Sequence, residues 1–289
     1  MKKQSVIKTS VIAALTVMSI SANAALWSDT SIGYRYGTQY REPVNSQDIS
    51  KNIVDLQHVS GYKYGTNFFN LDLLFSDSKD PISAGSSNGA QEAYLVYRHT
   101  LDMAAITGYN LKYGIVRNLG ITAGFDANFK NDAGYNSSKR MWVLGPTVMF
   151  DVPGFFNLSA VALWESNAPY NSFSGVSTPR YEYDTHAALM GAWGIPFNVG
   201  PVALSFEGFF NYIGAKGQDE FGGGTKPEFN FDGQVMYDVS PLFDINSNTF
   251  KVGFEYQYWR NKFGNNNQNP FYQGGATAST PMVRVEYHF

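Results

Sequence analysis

The sequence predicts an all-β protein, a transmembrane antiparallel β-barrel of about 12 strands, and three observations point there. The chain ends on Pro281 to Phe289, where Val283, Val285, Tyr287 and Phe289 alternate strictly with Met282, Arg284, Glu286 and His288, so one face is greasy and the other ionised. Two-faced segments of this kind recur along the chain. Between them, long polar connections alternate with shorter turns that carry Pro or Gly, the pattern of barrels with loops outside and turns on the periplasmic side.

The N-terminus reads as a secretory leader. Lys2, Lys3 and Lys8 precede an apolar run from Val11 to Ile20, and Ala22-Asn23-Ala24 has the form of a cleavage site, which places the expected cut after Ala24 and the barrel over residues 25–289. The apolar run is shorter than the ~18 residues a membrane-spanning helix needs. Loss of the three lysines leaves 18 Lys and Arg against 24 Asp and Glu, a formal charge of −6. No basic stripe invites nucleic acid. There is no cysteine, although the leader sends the chain where disulfides form, so stability must come from elsewhere. A sheet closed on itself, with every backbone group paired, is one such source. The 19 Tyr, 22 Phe, 5 Trp and 28 Gly suit aromatic belts, turns and curved strands, but they also suit a secreted β-sandwich. Strand length decides: about 11 residues at ~3.3 Å, tilted by roughly 40°, rise about 28 Å, and a sandwich would use shorter strands.

The elements follow in order. Asp29 to Gly37 sets Thr30, Ile32, Tyr34 and Tyr36 against Ser31, Gly33 and Arg35, and Gln39 to Ser50 reads as a polar loop. Asn52 to Ser60 and Asn67 to Ser76 follow, the second setting Phe69, Leu71, Leu73 and Phe75 against Phe68, Asn70 and Asp72. Pro81 and Gly85 mark a loop up to Gly89. Gln91 to Thr100 puts Ala93, Leu95 and Tyr97 opposite Glu92, Tyr94 and Arg98. Asp102 to Ile106 fits a helical turn, and Leu119 to Phe129 alternates again. Arg140 to Asp151 and Asn157 to Glu165 are apolar on both faces, so their orientation stays open. Tyr181 to Trp193 places Glu182, Asp184 and His186 on one face. Val202 to Tyr212, Phe229 to Val239 and Phe250 to Trp259 complete the set before the terminal strand.

No reaction centre stands out. His58, His99, His186 and His288 share no metal-ligand spacing, and each reads as part of a polar network or an interface. Gly222 to Gly224 lacks the strand and helix of a phosphate cradle. The informative set is the inward face, which offers Asp55, Asp72, Glu92, Asp126, Glu182, Asp184, Glu207, Asp232, Asp238, Glu255 and Glu286 against Arg35, Arg98, Lys251 and Arg284. Interleaved are four rings, Phe68, Tyr94, Phe209 and Trp259. Many such charges serve only to pair across strands. As a set, a surplus of carboxylates disfavours anions, and ring faces offer stacking platforms for flat solutes. The residues expected to meet a solute are Phe68, Asp72, Glu92, Tyr94, Arg98, Glu207, Phe209, Lys251, Glu255, Trp259 and Arg284. No catalytic residue, metal or cofactor is expected.

Several segments carry a resemblance: His58-Val-Ser-Gly-Tyr-Lys-Tyr-Gly-Thr-Asn-Phe-Phe69, Tyr97-Arg-His-Thr100, Thr122-Ala-Gly-Phe-Asp126, Asn131-Asp-Ala-Gly-Tyr-Asn136, Gly145-Pro-Thr147, Asp151-Val-Pro-Gly-Phe155 and Trp164-Glu-Ser-Asn-Ala-Pro169. Over nearly the whole mature chain these resemble the nucleoside-specific channel-forming family, Tsx, and are closest to its OmpK-like branch. The resemblance implies a monomeric twelve-stranded channel in the bacterial outer membrane, nucleosides as solutes, and bacteriophage attachment at the outer loops. It assigns no lumen residue. Alternative readings are a less selective, cation-preferring porin, a receptor or adhesin with a closed lumen, and, least favoured, a barrel hydrolase.

Overall fold

The computed structural model describes residues 25–171 and 175–289, so the expected leader and its cleavage point lie outside the described residues. Twelve antiparallel strands build the wall: β1 (Trp27–Glu42), β2 (Asn45–Tyr62), β3 (Gly65–Ser76), β4 (Gln91–Asp102), β5 (Val116–Lys130), β6 (Ser138–Phe150), β7 (Phe155–Asn167), β8 (His186–Val199), β9 (Val202–Ile213), β10 (Glu228–Asp238), β11 (Phe250–Arg260) and β12 (Thr277–His288). Each pairs with its neighbour in the chain, and β12 returns to β1 with Tyr34 opposite Val285 and Arg35 opposite Arg284. Closure leaves these twelve strands without a free edge. In hydrocarbon that matters, since each unpaired backbone group there costs several kcal/mol.

The period-2 alternation fixes which solvent each face meets. On β1, Ser31, Gly33 and Arg35 are buried inside while Ile32, Tyr34 and Tyr36 are exposed outside. Trp142 and Leu144 on β6, Trp164 on β7, Leu189 on β8, Phe254 on β11 and Val283 and Val285 on β12 extend that exposed apolar face around the wall. So large an apolar surface would drive a water-soluble protein to aggregate, whereas around a closed barrel it is the surface that meets lipid. The chain is an outer-membrane barrel. On β8 to β10 the outer face is aromatic, the Trp193 ring lying 5.3 Å from Phe206 and 5.7 Å from Phe231 between centroids. Gly208 (φ +152) makes room for it: a Cβ there would stand 2.9 Å from the indole and 2.2 Å from the Asp232 carbonyl oxygen.

The two ends differ as expected, with three corrections. Connections 77–90, 131–137, 168–185, 214–227 and 261–276 share the outer end, and 63–64, 151–154 and 200–201 are short turns at the periplasmic end, where both strand termini of the barrel lie. The predicted polar loop Gln39 to Ser50 is instead strand on both sides of a two-residue turn, with Val44 at φ +66. Within Tyr181 to Trp193, Tyr181 and Glu182 pair only with Asn167 and Ser166 at the outer tip of β7 and the full wall strand starts at His186, so Glu182 and Asp184 are exposed and line no lumen. Connection 239–249 is longer than the expected turn. Its counterpart 103–115 opens with the anticipated helical turn, α1 (Met103–Thr107), whose first turn is capped by the Asp102 carboxylate accepting from the Ala105 N–H.

Candidate solute path in the barrel lumen

One side of the lumen, from β10 through β12 to β3, carries interlocked charges. Arg35 meets Asp72 at 2.6 Å, Glu255 at 3.0 Å and Asp55 at 3.4 Å. Arg284 meets Glu286 at 2.5 Å, Glu255 at 2.9 Å and Asp55 at 3.4 Å. Two guanidiniums thus share Glu255, and the Asp232 carboxylate accepts from Gln257 at 3.0 Å beside them. Such forked pairs hold long side chains against the wall and convert opposite charges into local dipoles.

The other side is different. On β4 to β7 a row of hydroxyls crosses four strands, Thr100 to Thr122 at 2.9 Å, Thr122 to Thr147 at 2.6 Å and Thr147 to Ser159 at 2.7 Å. Nearer the outer end, from β6 to β9, Met141, Val143, Val161, Leu163, Ala188 and Ile213 form a buried apolar cluster. This explains why β6 and β7 looked apolar on both faces: one face meets lipid and the other packs inside the barrel.

Of the eleven residues expected to meet solute, the structure places all on the inward phase and pairs most of them. Asp72, Glu255 and Arg284 belong to the network above. Arg98 meets Asp126 at 2.5 Å, and the Tyr94 hydroxyl donates to the same carboxylate at 3.1 Å. Lys251 lies 3.5 Å from Glu207, and Glu92 accepts from Asn128 and stands 3.8 Å from Lys51. The Trp259 indole donates to Glu228 at 2.6 Å and is covered by the Lys262 ammonium, 4.7 Å from the ring centroid. Phe209 differs: opposite Asp232 in register, it remains 37% exposed, and Phe68 is half-buried. An inward ring stays exposed only where the lumen leaves space in front of it.

At the outer mouth the loops are tied down by groups that the sequence reading missed. Glu42 gathers Lys51 at 2.6 Å, Lys262 at 3.2 Å and Lys130 at 3.6 Å, and Lys130 also meets Asp80 at 2.9 Å and Asp132 at 3.1 Å. Across the mouth Glu165 meets Lys216 at 2.7 Å, Lys139 at 3.7 Å and His186 at 3.8 Å, while Glu220 accepts from the hydroxyls of Tyr135 and Tyr183. Burial and a hydrogen bond with Asp132 push Asp80 up to about 6. Burial opposes ionisation of Asp132 as well, but the bond from Asp80 and the Lys130 charge hold it below the usual carboxylate range. Burial also lowers Lys262. Five lysines that the sequence count omitted thus join the interior, each held by carboxylates that it also omitted, Glu42, Asp80, Asp132 and Glu165.

The histidines all sit in polar networks. His58 bonds Thr30 at 2.7 Å and His99 bonds Asn67 at 2.8 Å, both on the outer face, His186 bonds the Asp184 carbonyl at 2.8 Å, and His288 bonds Asp29 at 3.0 Å.

No protein-family model and no curated protein matches the chain, so neither comparison carries the resemblance to nucleoside channels. Among solved structures it is similar to the KdgM porin in complex with disordered oligogalacturonate, at 11% identity over 90% of this chain and 99% of that one, TM-score 0.41. It is also similar to the NanC porin, at 11% over 89% and 98%, TM-score 0.46, and to an outer-membrane channel from Pseudomonas putida F1, at 16% over 92% and 96%, TM-score 0.46.

Proposed function

We propose that the barrel is a passive diffusion channel whose preferred solutes are neutral, flat-ringed and hydroxyl-bearing, nucleosides first among them. The observation that carries this reading is the open inward face of Phe209, set among Glu207, Asp232 and Gln234, with Phe68 beside Asn70 and Asp72 on another strand. Rings give weak stacking, and amides, hydroxyls and paired carboxylates give exchangeable hydrogen bonds, so a solute is held loosely at several places in turn. Because Arg35, Arg98, Arg284 and Lys251 neutralise their neighbours, the lining offers dipoles more than a net field, which suits an uncharged solute. Swelling of liposomes loaded with the full-length protein tests it: adenosine should enter faster than a sugar of equal size. Equal rates remove the selectivity.

A second reading is favoured by one observation, the binding of the outer loops across the mouth through Glu42, Glu165 and Glu220. In that reading the lumen is closed and the loops serve as a receptor, including for bacteriophage. It predicts a folded barrel with no swelling for any solute.

A further inference from the structure

The periplasmic rim carries a groove outside the barrel that the transport reading does not use. It has a volume of about 380 Å³ and is lined by Tyr62, Tyr64, Leu101 and Ile106. Leu101 continues the outward row of Tyr97 and His99 on β4, so the groove is the lower margin of the lipid-facing wall. Ile106 comes from α1, part of the long connection 103–115, which also exposes Tyr109, Tyr113 and Ile115. With 239–249 this is one of two long connections at the rim, and its apolar side chains lie next to the lower margin of the lipid-facing wall.

Above the groove the outer wall is unusually polar, but it is satisfied internally. The Asn67 side-chain oxygen accepts from the Tyr97 hydroxyl at 2.8 Å and lies 2.8 Å from His99 Nδ1, while the Tyr62 hydroxyl stands 3.0 Å from His99 Nε2. Polar side chains on an outer face belong at the level of the lipid headgroups, where aromatic hydroxyls and water meet. Of the cations at this level, Lys112 is paired with Asp151 at 2.6 Å, whereas Lys63, in the turn 63–64, makes no ion pair among the described residues. The Lys63 ammonium sits 4.9 Å from the centroid of the Tyr64 ring, at the edge of the groove.

We propose that this groove binds one glycerophospholipid of the inner leaflet, an acyl chain lying between Tyr64, Leu101 and Ile106 and the phosphate meeting Lys63. Continuity with the lipid-facing wall supplies the apolar part of the fit, and the Lys63 ammonium, held at the groove's edge over the Tyr64 ring, supplies the charge. A lipid here would clamp α1 against β3 and β4 and hold the rim in register with the membrane surface.

Native mass spectrometry of the full-length protein, released from detergent with phosphatidylglycerol, phosphatidylethanolamine or diacylglycerol of the same chains, tests the proposal. One phosphatidylglycerol or phosphatidylethanolamine should be retained per barrel, and diacylglycerol should be lost. Lys63→Gln should lower retention of phosphatidylglycerol about fivefold, the worth of one lysine near a lipid surface. Ile106→Asp should lower it as far, and Leu189→Ser, on a distant part of the wall, should leave it unchanged. Heat-modifiable migration on a gel confirms that each variant folds. Retention unaffected by both groove variants, or as strong for diacylglycerol as for phosphatidylglycerol, would overturn the site. A shift to dimer mass that Ile106→Asp abolishes would assign the groove to a second copy of the chain instead.

Discussion

Glu255 shows what single residues contribute. It lies 3.0 Å from Arg35 and 2.9 Å from Arg284 and is almost wholly buried, so its removal takes one of three carboxylates from each of two guanidiniums. Glu255→Ala should destabilise the barrel by about 1–3 kcal/mol, the cost of leaving buried donors short of one partner, read as a lower midpoint in denaturant unfolding from lipid. Asp80 at the mouth predicts a pH effect. Its folded value near 6 lies above the ordinary 3.8, so its contribution is full below pH 3.8 and is lost as pH rises through about 6. Asp132 works oppositely, its contribution present above 3.8 and lost only as pH falls through its lowered value. The tie on loop 77–90 should therefore be tightest between about pH 4 and 6, and protease cleavage of that loop should be slower at pH 5 than at pH 8. Asp80→Asn, which keeps a donor toward Asp132, should abolish the difference; an unchanged pH dependence would contradict the assignment. At this scale the sequence was legible wherever a strand alternated cleanly, as at Arg35, Asp55 and Glu286. Lys51, Lys130 and Lys139 share the inward phase of their strands and fell one residue beyond the boundaries drawn for them.

Among the elements, β6 and β7 were hardest to orient, because patterning separates two faces only when one is wet. The interior cluster of Met141, Val143, Val161 and Leu163 faces other side chains, not water. The β1–β2 hairpin was hidden for another reason: its register shifts between Gly37 and Tyr40 and again before Glu42, which breaks the alternation that announces a strand. Glu42 stands opposite Asn45 in register and Lys51 opposite Gly37, yet the two buried side chains meet at 2.6 Å. Glu42→Gln removes the charge on which Lys51, Lys130 and Lys262 converge, leaving three ammoniums close together. Loops 77–90 and 261–276 should then exchange amide hydrogens faster while the strands do not, and unchanged loop exchange would show that the ties do not hold the mouth. His186 entered the wall as expected, but its carboxylate neighbour is Glu165, not Glu182 or Asp184.

For the molecule as a whole, two solvents explain most of what is seen. Lipid takes one face of every strand, the other face turns inward, and closure of β12 on β1 satisfies the backbone between them. That much followed from alternation and from the inequality of loops and turns. Which parts of the interior stay wet did not follow, because it depends on how far lysines and loops fold in from the outer end. Phe209 marks space that remains. The most direct test is unitary conductance of the full-length protein in a planar bilayer during titration with adenosine. The account predicts resolved current steps that adenosine reduces, with the reduction weakened several-fold in Phe209→Ala, the loss of roughly 1–3 kcal/mol of stacking. A correctly folded barrel that shows no steps, or steps that adenosine leaves unchanged, would contradict it.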